Sequence, residues 1–134
     1  MIEVISIGIV RNQFKESTDL DQIRNTISII NIKPGFEEGL HKIEEREALK
    51  IIYYFHLSGA YRLKGPRHDG EVRGVFNSRS PHRPSRIGIS TVKLLERNGN
   101  SLKVIGLDAL DRTPVLDIKP YDPDLDQPFE NEKQ

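Results

Sequence analysis

Ile87-Gly88-Ile89-Ser90-Thr91-Val92-Lys93-Leu94-Leu95-Glu96-Arg97-Asn98-Gly99-Asn100-Ser101-Leu102-Lys103-Val104-Ile105-Gly106-Leu107 is the stretch that decides the fold. Two strand-length runs rich in β-branched and apolar residues, 87–95 and 102–107, flank Asn98-Gly99. That dipeptide tolerates the positive φ of a tight turn, so the stretch reads as a β-hairpin. Working outward, residues 4–10, 26–32 and 115–118 read as further strands. Residues 49–57, carrying Ile51-Ile52-Tyr53-Tyr54-Phe55, read as a strand buried on both faces. One helix is expected after Pro34, where Phe36, Leu40 and Ile43 have helical spacing. Six or seven short strands with one short helical excursion predict a mainly β fold, a small antiparallel β-barrel. Strands and helices do not alternate regularly, which argues against a doubly wound sheet.

A length of 134 residues predicts one domain with a modest core. Lys+Arg and Asp+Glu are equal at 20 each, so no global charge drives the chain onto a polyanion. The charge is segregated instead. Residues 62–86 hold seven basic and two acidic side chains, a local +5. After Tyr121 the balance inverts, with Asp122, Asp124, Asp126, Glu130 and Glu132 against Lys133. The expected organisation is a domain over residues 1–121 and a flexible acidic tail over 122–134. Cysteine is absent, which excludes disulfides, thiolate metal sites and cysteine nucleophiles. No apolar run has membrane-span length, and Met1-Ile2-Glu3-Val4 does not start a signal peptide. The expectation is a soluble cytoplasmic protein.

Common catalytic signatures are missing. No two glycines are spaced as G-x-G, and Glu71 stands where the Gly65/Gly70 spacing of a phosphate loop needs lysine. His41, His56, His68 and His82 show no ligand spacing, so no metal is expected. Ser80 or Ser90 with His82 lacks an orienting acid at any identifiable spacing. Two segments carry chemistry. Residues 73–90 form a loop packed with arginines and hydroxyls around Pro81 and Pro84. It can offer bidentate donors to carboxylates or phosphates, or be a solvated basic connector. Residues 106–121 place Asp108, Asp111 and Asp117 at and between strand ends. These could hold a cation, a ribose hydroxyl or a proton, or serve turns and caps.

Both segments resemble the signature of the TsaA-like, or TrmO, family of tRNA methyltransferases. The family pattern G-V-F-A-T-R-S-P-x-R-P-N-P-I-G is similar to Gly74-Val75-Phe76-Asn77-Ser78-Arg79-Ser80-Pro81-His82-Arg83-Pro84-Ser85-Arg86-Ile87-Gly88. Its second pattern, L-D-x-x-D-G-T-P-V-x-D-I-K-P-Y, is similar to residues 107–121. Ile7-Gly8-Ile9-Val10-Arg11 resembles the opening strand, Phe36-Glu37-Glu38-Gly39-Leu40 a helix start, and residues 51–56 a strand ending in His.

The resemblance implies a single-sheeted β-barrel that binds S-adenosylmethionine. It implies methylation of N6 of threonylcarbamoyladenosine beside the anticodon of tRNA, by a homodimer with sites near the subunit interface. By position it assigns the cofactor to Gln22, His56, Leu57, Arg79, Ile89, Leu107, Asp108, Ala109 and Leu110. Asp108, Asp111 and Tyr121 are the available acceptors for the proton that N6 must lose, and Arg67, Arg73 and Arg83 are the candidate phosphate contacts. The departures that matter are Leu20-Asp21-Gln22 for Pro-Arg-Gln, Arg86 for Pro and Arg112 for Gly. An arginine at a positive-φ turn costs about 1–2 kcal/mol relative to glycine. An alternative is therefore a catalytically altered cofactor- or RNA-binding barrel. Tyr53, Tyr54 and Phe55 are candidates for a dimer interface if their strand is not fully covered.

Overall fold

A computed structural model describes residues 1–16 and 20–129, with Leu20 described by its backbone alone. Eight strands form: β1 Gly8–Arg11, β2 Ser28–Ile32, β3 Ala48–Tyr54, β4 Lys64–Pro66, β5 Val72–Gly74, β6 Ile87–Asn98, β7 Ser101–Ile105 and β8 Pro114–Pro120. Six of them close an antiparallel barrel in the order β1-β2-β7-β6-β3-β8, while β4 and β5 make a separate hairpin. The predicted hairpin is β6–β7, and Gly99 at its tip takes φ 64. β6 runs beyond the predicted 87–95. Its first half pairs with β3, its second half with β7, and the register shifts between Leu94 and Glu96. Such a bulge bends a strand, letting one long strand serve two sides of a small barrel.

Alternation sends one face of each strand inward. Val10, Ile30, Ile32, Leu49, Ile51, Tyr53, Val92, Leu102, Val104 and Val115 fill the barrel with Leu40, Leu107 and Ala109. This corrects the expectation for residues 49–57. Only Leu49, Ile51 and Tyr53 are fully buried; Ala48, Lys50, Ile52 and Tyr54 are half-buried on the outer face. Tyr53 is thus a core residue and no part of an outer interface.

Three other expectations shift for local reasons. The helix after Pro34 is two short 3₁₀ turns, Pro34–Leu40 and Ile43–Glu45. Gly35 and Gly39 weaken a helix there, and Lys42 at φ 65 interrupts it; of the three apolar residues only Leu40 is buried. The first strand starts at Gly8 rather than residue 4, leaving Val4 and Ile5 exposed. Here the Ser6 hydroxyl donates to the Gly8 carbonyl at 3.0 Å, a local bond that competes with the ladder. Two short helices were not expected: α1, Leu20–Arg24, which buries Ile23, and α2, Pro123–Asp126. The second begins the region expected to be a tail, with the Asp122 carboxylate accepting from the Asp124 N–H. Residues 130–134, with Glu130 and Glu132, lie outside the described residues. No helix among those described is long and apolar enough to cross a membrane.

Candidate functional site

The Tyr53 end of β3, the start of β6 and the segment leaving β7 meet at one end of the barrel. Helix α1 joins them there, where the Gly106 N–H donates to the Arg24 carbonyl at 2.9 Å. Inside this junction the Tyr53 hydroxyl lies 2.8 Å from Ser90 Oγ and donates to the Asp108 carbonyl at 3.1 Å. Burial pushes the Tyr53 phenol up to about 12, so it stays protonated and acts as a donor. This bond ties β3 and β6 to the backbone of Asp108.

Over this end folds the arginine-rich loop. Arg83 Nη1 donates to the carbonyls of Ser78 at 2.8 Å, Val75 at 3.2 Å and Ser80 at 3.4 Å, wiring the loop to itself. The Phe55 N–H donates to the Arg86 carbonyl at 2.8 Å and closes the loop onto the barrel. Arg79 reaches back across it, and its Nη2 donates to the Ile89 carbonyl at 2.7 Å. One bond fixes the guanidinium and leaves its other donors facing outward.

Two concavities flank Arg79. The first, of about 430 Å³, is lined by Tyr53, Phe55, Phe76, Ile87, Gly88 and Ile89 together with Arg79 and Asp108. The second, of about 720 Å³, is lined by Arg24, Arg67, His68, Asp69, Arg73, Arg79 and Asp108. Ser78, Arg79, Ser80, Pro81 and Asp108 belong to both and form the wall between them. Asp108 therefore stands where the two meet. Burial raises its carboxyl above the ordinary value, opposed by the charges of Arg24 and Arg79. Arg24 Nη1 lies 3.6 Å from Asp108 Oδ2.

The residues singled out in the sequence fare differently. Arg79, Ile89 and Asp108 come together at the first cavity. Leu107 and Ala109 point into the core, so only their backbone is available to a ligand. Leu110 is half-buried, and its carbonyl accepts from the Thr113 hydroxyl. His56 and exposed Leu57 follow β3; burial lowers the His56 pKa against the pull of Asp111, keeping it neutral at pH 7. Gln22 lies exposed on α1. Asp111 accepts from the Asn12 N–H at 3.0 Å, and Asn12 bridges to Ser28 and the Ala109 carbonyl. Tyr121 is at the far end: its N–H donates to the Ala48 carbonyl and Lys50 Nζ sits 5.7 Å over its ring. Five residues of β3, about 17 Å, separate that point from Tyr53. The structure thus does not bring Asp108 and Tyr121 together.

Of the three arginines expected to meet phosphate, Arg83 is engaged by its own loop. Arg73 grips both oxygens of Asp69 at 2.8 and 2.7 Å, and Arg67 Nη2 donates to the Arg73 carbonyl at 3.1 Å. The Arg73 hydrogen bond holds the Asp69 carboxyl below its usual range. Arg24, Tyr53 and Ser90 are the site residues that sequence reasoning did not place. Among the described residues, no cluster of three His, Asp or Glu could hold a metal ion.

Comparison with known proteins gives a consistent picture. Residues 9–127 match the family model described as the tRNA-methyltransferase O N-terminal domain. A probable S-adenosyl-L-methionine-binding protein of Archaeoglobus fulgidus is 43% identical over 133 residues, covering 94% of this chain and 36% of the relative. The tRNA (adenine(37)-N6)-methyltransferase of Mus musculus is 42% identical over 102 residues, covering 73% of this chain and 24% of the mouse protein. A crystal structure of TrmO from Pseudomonas aeruginosa superposes with a TM-score of 0.77 at 31% identity, covering 94% of this chain and 58% of that one. The chain spans about a third of the Archaeoglobus relative and a quarter of the mouse protein.

Proposed function

This chain belongs to the tRNA-methyltransferase O N-terminal domain family, and on that premise we propose that it is an S-adenosylmethionine-dependent tRNA methyltransferase acting in the cytoplasm. Its substrate is N6 of threonylcarbamoyladenosine beside the anticodon. The observation that carries this reading is the pair of cavities meeting at Asp108 and Arg79. A transfer between two ligands needs two adjoining compartments in which the reacting atoms can meet.

The first cavity suits the cofactor. Its volume is in the range of small-molecule sites, and Phe55, Phe76, Ile87 and Ile89 give it apolar walls. A Cβ at Gly88 would stand 2.5 Å from Phe55 Cζ and 2.7 Å from Tyr53 Cε2, so glycine is what lets the wall take this shape. The remaining donors of Arg79 suit the methionyl carboxylate, and Ile89 and Asp108 line the same cavity, whereas His56, Leu57, Leu107, Ala109 and Leu110 do not. When bound, S-adenosylmethionine supplies a methyl group on a sulfonium whose sulfur is already an excellent leaving group. The protein has little covalent work to do; it positions the acceptor and tunes the field. Asp108, with its raised pKa, takes the proton that N6 gives up, and Tyr53 holds the Asp108 backbone in place. Asp111 and Tyr121 support the barrel instead. Gln22 lines neither cavity.

The RNA approaches the face carrying residues 62–86, with Arg67 and Arg73 toward it. The chain works as a C₂ homodimer whose interface includes exposed Phe76 and Ile87, which line the first cavity, and exposed Leu57. The domain over residues 1–121 is followed by an acidic segment, 122–134, that opens with helix α2. Incubation with labelled S-adenosylmethionine and tRNA, with and without the threonylcarbamoyl group, tests the function. Label on N6 of the modified adenosine is expected; no transfer to either tRNA contradicts it. One observation favours a second reading, a barrel that binds without transferring: Arg86 and Arg112 hold φ 54 and 69 where the family pattern has Pro and Gly. Cofactor binding with no transfer identifies that case.

A further inference from the structure

Helix α1 spans only five residues, yet it is held from several sides. Ile23 is fully buried, the Asn25 side-chain amide donates to the Asp21 carbonyl at 2.8 Å, and the Thr26 hydroxyl donates to the Gln22 carbonyl at 2.7 Å. The Gly106 N–H donates to the Arg24 carbonyl at 2.9 Å. Gly106 stands two residues before Asp108, so this one bond sets the backbone on both sides of the Arg24–Asp108 pair.

The Arg24 guanidinium meets two carboxylates with different nitrogens. Nη2 pairs with Asp21 Oδ1, three residues back on the same helix, and Nη1 lies 3.6 Å from Asp108 Oδ2. That second separation is too long for a hydrogen bond, so Arg24 lends Asp108 its charge and leaves the lone pairs of Oδ2 open. The other oxygen, Oδ1, is buried and makes no hydrogen bond. Oδ2 is therefore the atom at which Asp108 can take a proton. Among the described residues, Arg24 is the one cation paired with it.

We propose that Arg24 is a positioning residue: oriented by Asp21, it holds the Asp108 carboxylate ionised where the two cavities meet. The proposal rests on the methyltransferase reading above and adds the residue that keeps its base charged. Burial works against that charge; Arg24 is the largest counterweight, ahead of Arg79, while Asp21 opposes both. The Tyr53 phenol on β3 binds the Asp108 carbonyl, and across the second cavity stand His68, Arg67 and the Asp69–Arg73 pair. Those groups remain in an Arg24 variant, so a change in Asp108 reports Arg24.

Carbon-13 NMR of the full chain, following the Asp108 carboxyl through a pH titration, reads the proposal without any activity. Relative to wild type, the Arg24→Ala titration should move to higher pH, and Arg24→Lys should bring it part of the way back. Transfer from labelled S-adenosylmethionine to tRNA carrying the threonylcarbamoyl group gives a second readout. Arg24→Ala should lose about two- to fivefold in kcat/KM on the acid side of the pH profile, the scale of a partly exposed charge pair, and the loss should shrink as pH rises. Added to Asp108→Asn, the same substitution should cost nothing further, because its effect passes through Asp108. An unmoved Asp108 titration overturns the proposal whether or not the protein transfers a methyl group. So does a loss in Arg24→Ala that is equal at every pH, which marks a structural role, or one that persists beside Asp108→Asn, which marks direct contact with RNA or cofactor. No transfer by wild type, with the titration moved as stated, contradicts the methyltransferase reading and leaves the hold of Arg24 on Asp108 standing.

Discussion

Arg112 occupies the left-handed region at φ 69, where its Cβ crowds the following carbonyl. Its N–H donates to the Val10 carbonyl at 2.8 Å, so the barrel closure holds it there. Arg112→Gly should therefore stabilise the protein by about 0.5–1 kcal/mol, the strain relieved less the extra unfolded-state freedom of glycine. Urea denaturation reads this directly, and a destabilised variant contradicts it. Asp108 gives a second prediction. Its folded pKa is raised, so between the ordinary carboxylate value and that raised value the folded state binds more protons than the unfolded one. Stability then falls as pH rises through that window. Asp108→Asn should unfold at a higher temperature than wild type at neutral pH, and the gain should vanish below the ordinary carboxylate pKa. Methylation should drop at least about a hundredfold in the same variant. A variant less stable at pH 7, or fully active, refutes this account of Asp108.

At the scale of elements, much was legible and the exceptions have causes. Asn98-Gly99 marked its hairpin because a positive φ at Gly99 is a local demand of the turn. The β4–β5 hairpin was hidden because Lys64–Pro66 and Val72–Gly74 are three residues each, too short for any period to show. Helix α1 escaped for the same reason, and with it Arg24, which reaches Asp108 from 84 residues away in sequence. Motif position singled out Arg79, Ile89 and Asp108, which meet. It could not reveal that Asp111 serves the Asn12 turn or that Tyr121 stands at the other end of β3. Pairing register is tertiary information. The start of β6 carries its own prediction. Gly88→Ala puts a methyl group into the edge-to-face pair of Tyr53 and Phe55, whose centroids are 5.5 Å apart. The rings must move, which should destabilise the fold by about 1–3 kcal/mol and weaken cofactor binding together. Thermal melts and calorimetry on the one variant check both, and unchanged affinity contradicts the wall assignment.

The whole molecule is neutral but polarised, and Arg67, Arg73, Arg79 and Arg83 of its basic segment line the two cavities. Exposed Phe76, Ile87 and Ile89 line the first cavity, and Leu57, Tyr61, Leu63 and Val72 of the same stretch of sequence are exposed as well. A patch of that kind is where a second copy fits. Light scattering should give a dimer at micromolar concentration, reduced to monomer by Phe76→Asp with Leu57→Asp; a monomeric wild type contradicts the assembly. The central claim is that the cavity at Arg79 holds S-adenosylmethionine, and calorimetry on the metal-free protein tests it most directly. Wild type should bind with chelator present, and Arg79→Ala should bind about 10–150-fold more weakly, the range of one hydrogen bond to a charged group. No binding by wild type, or equal binding by Arg79→Ala, contradicts the account.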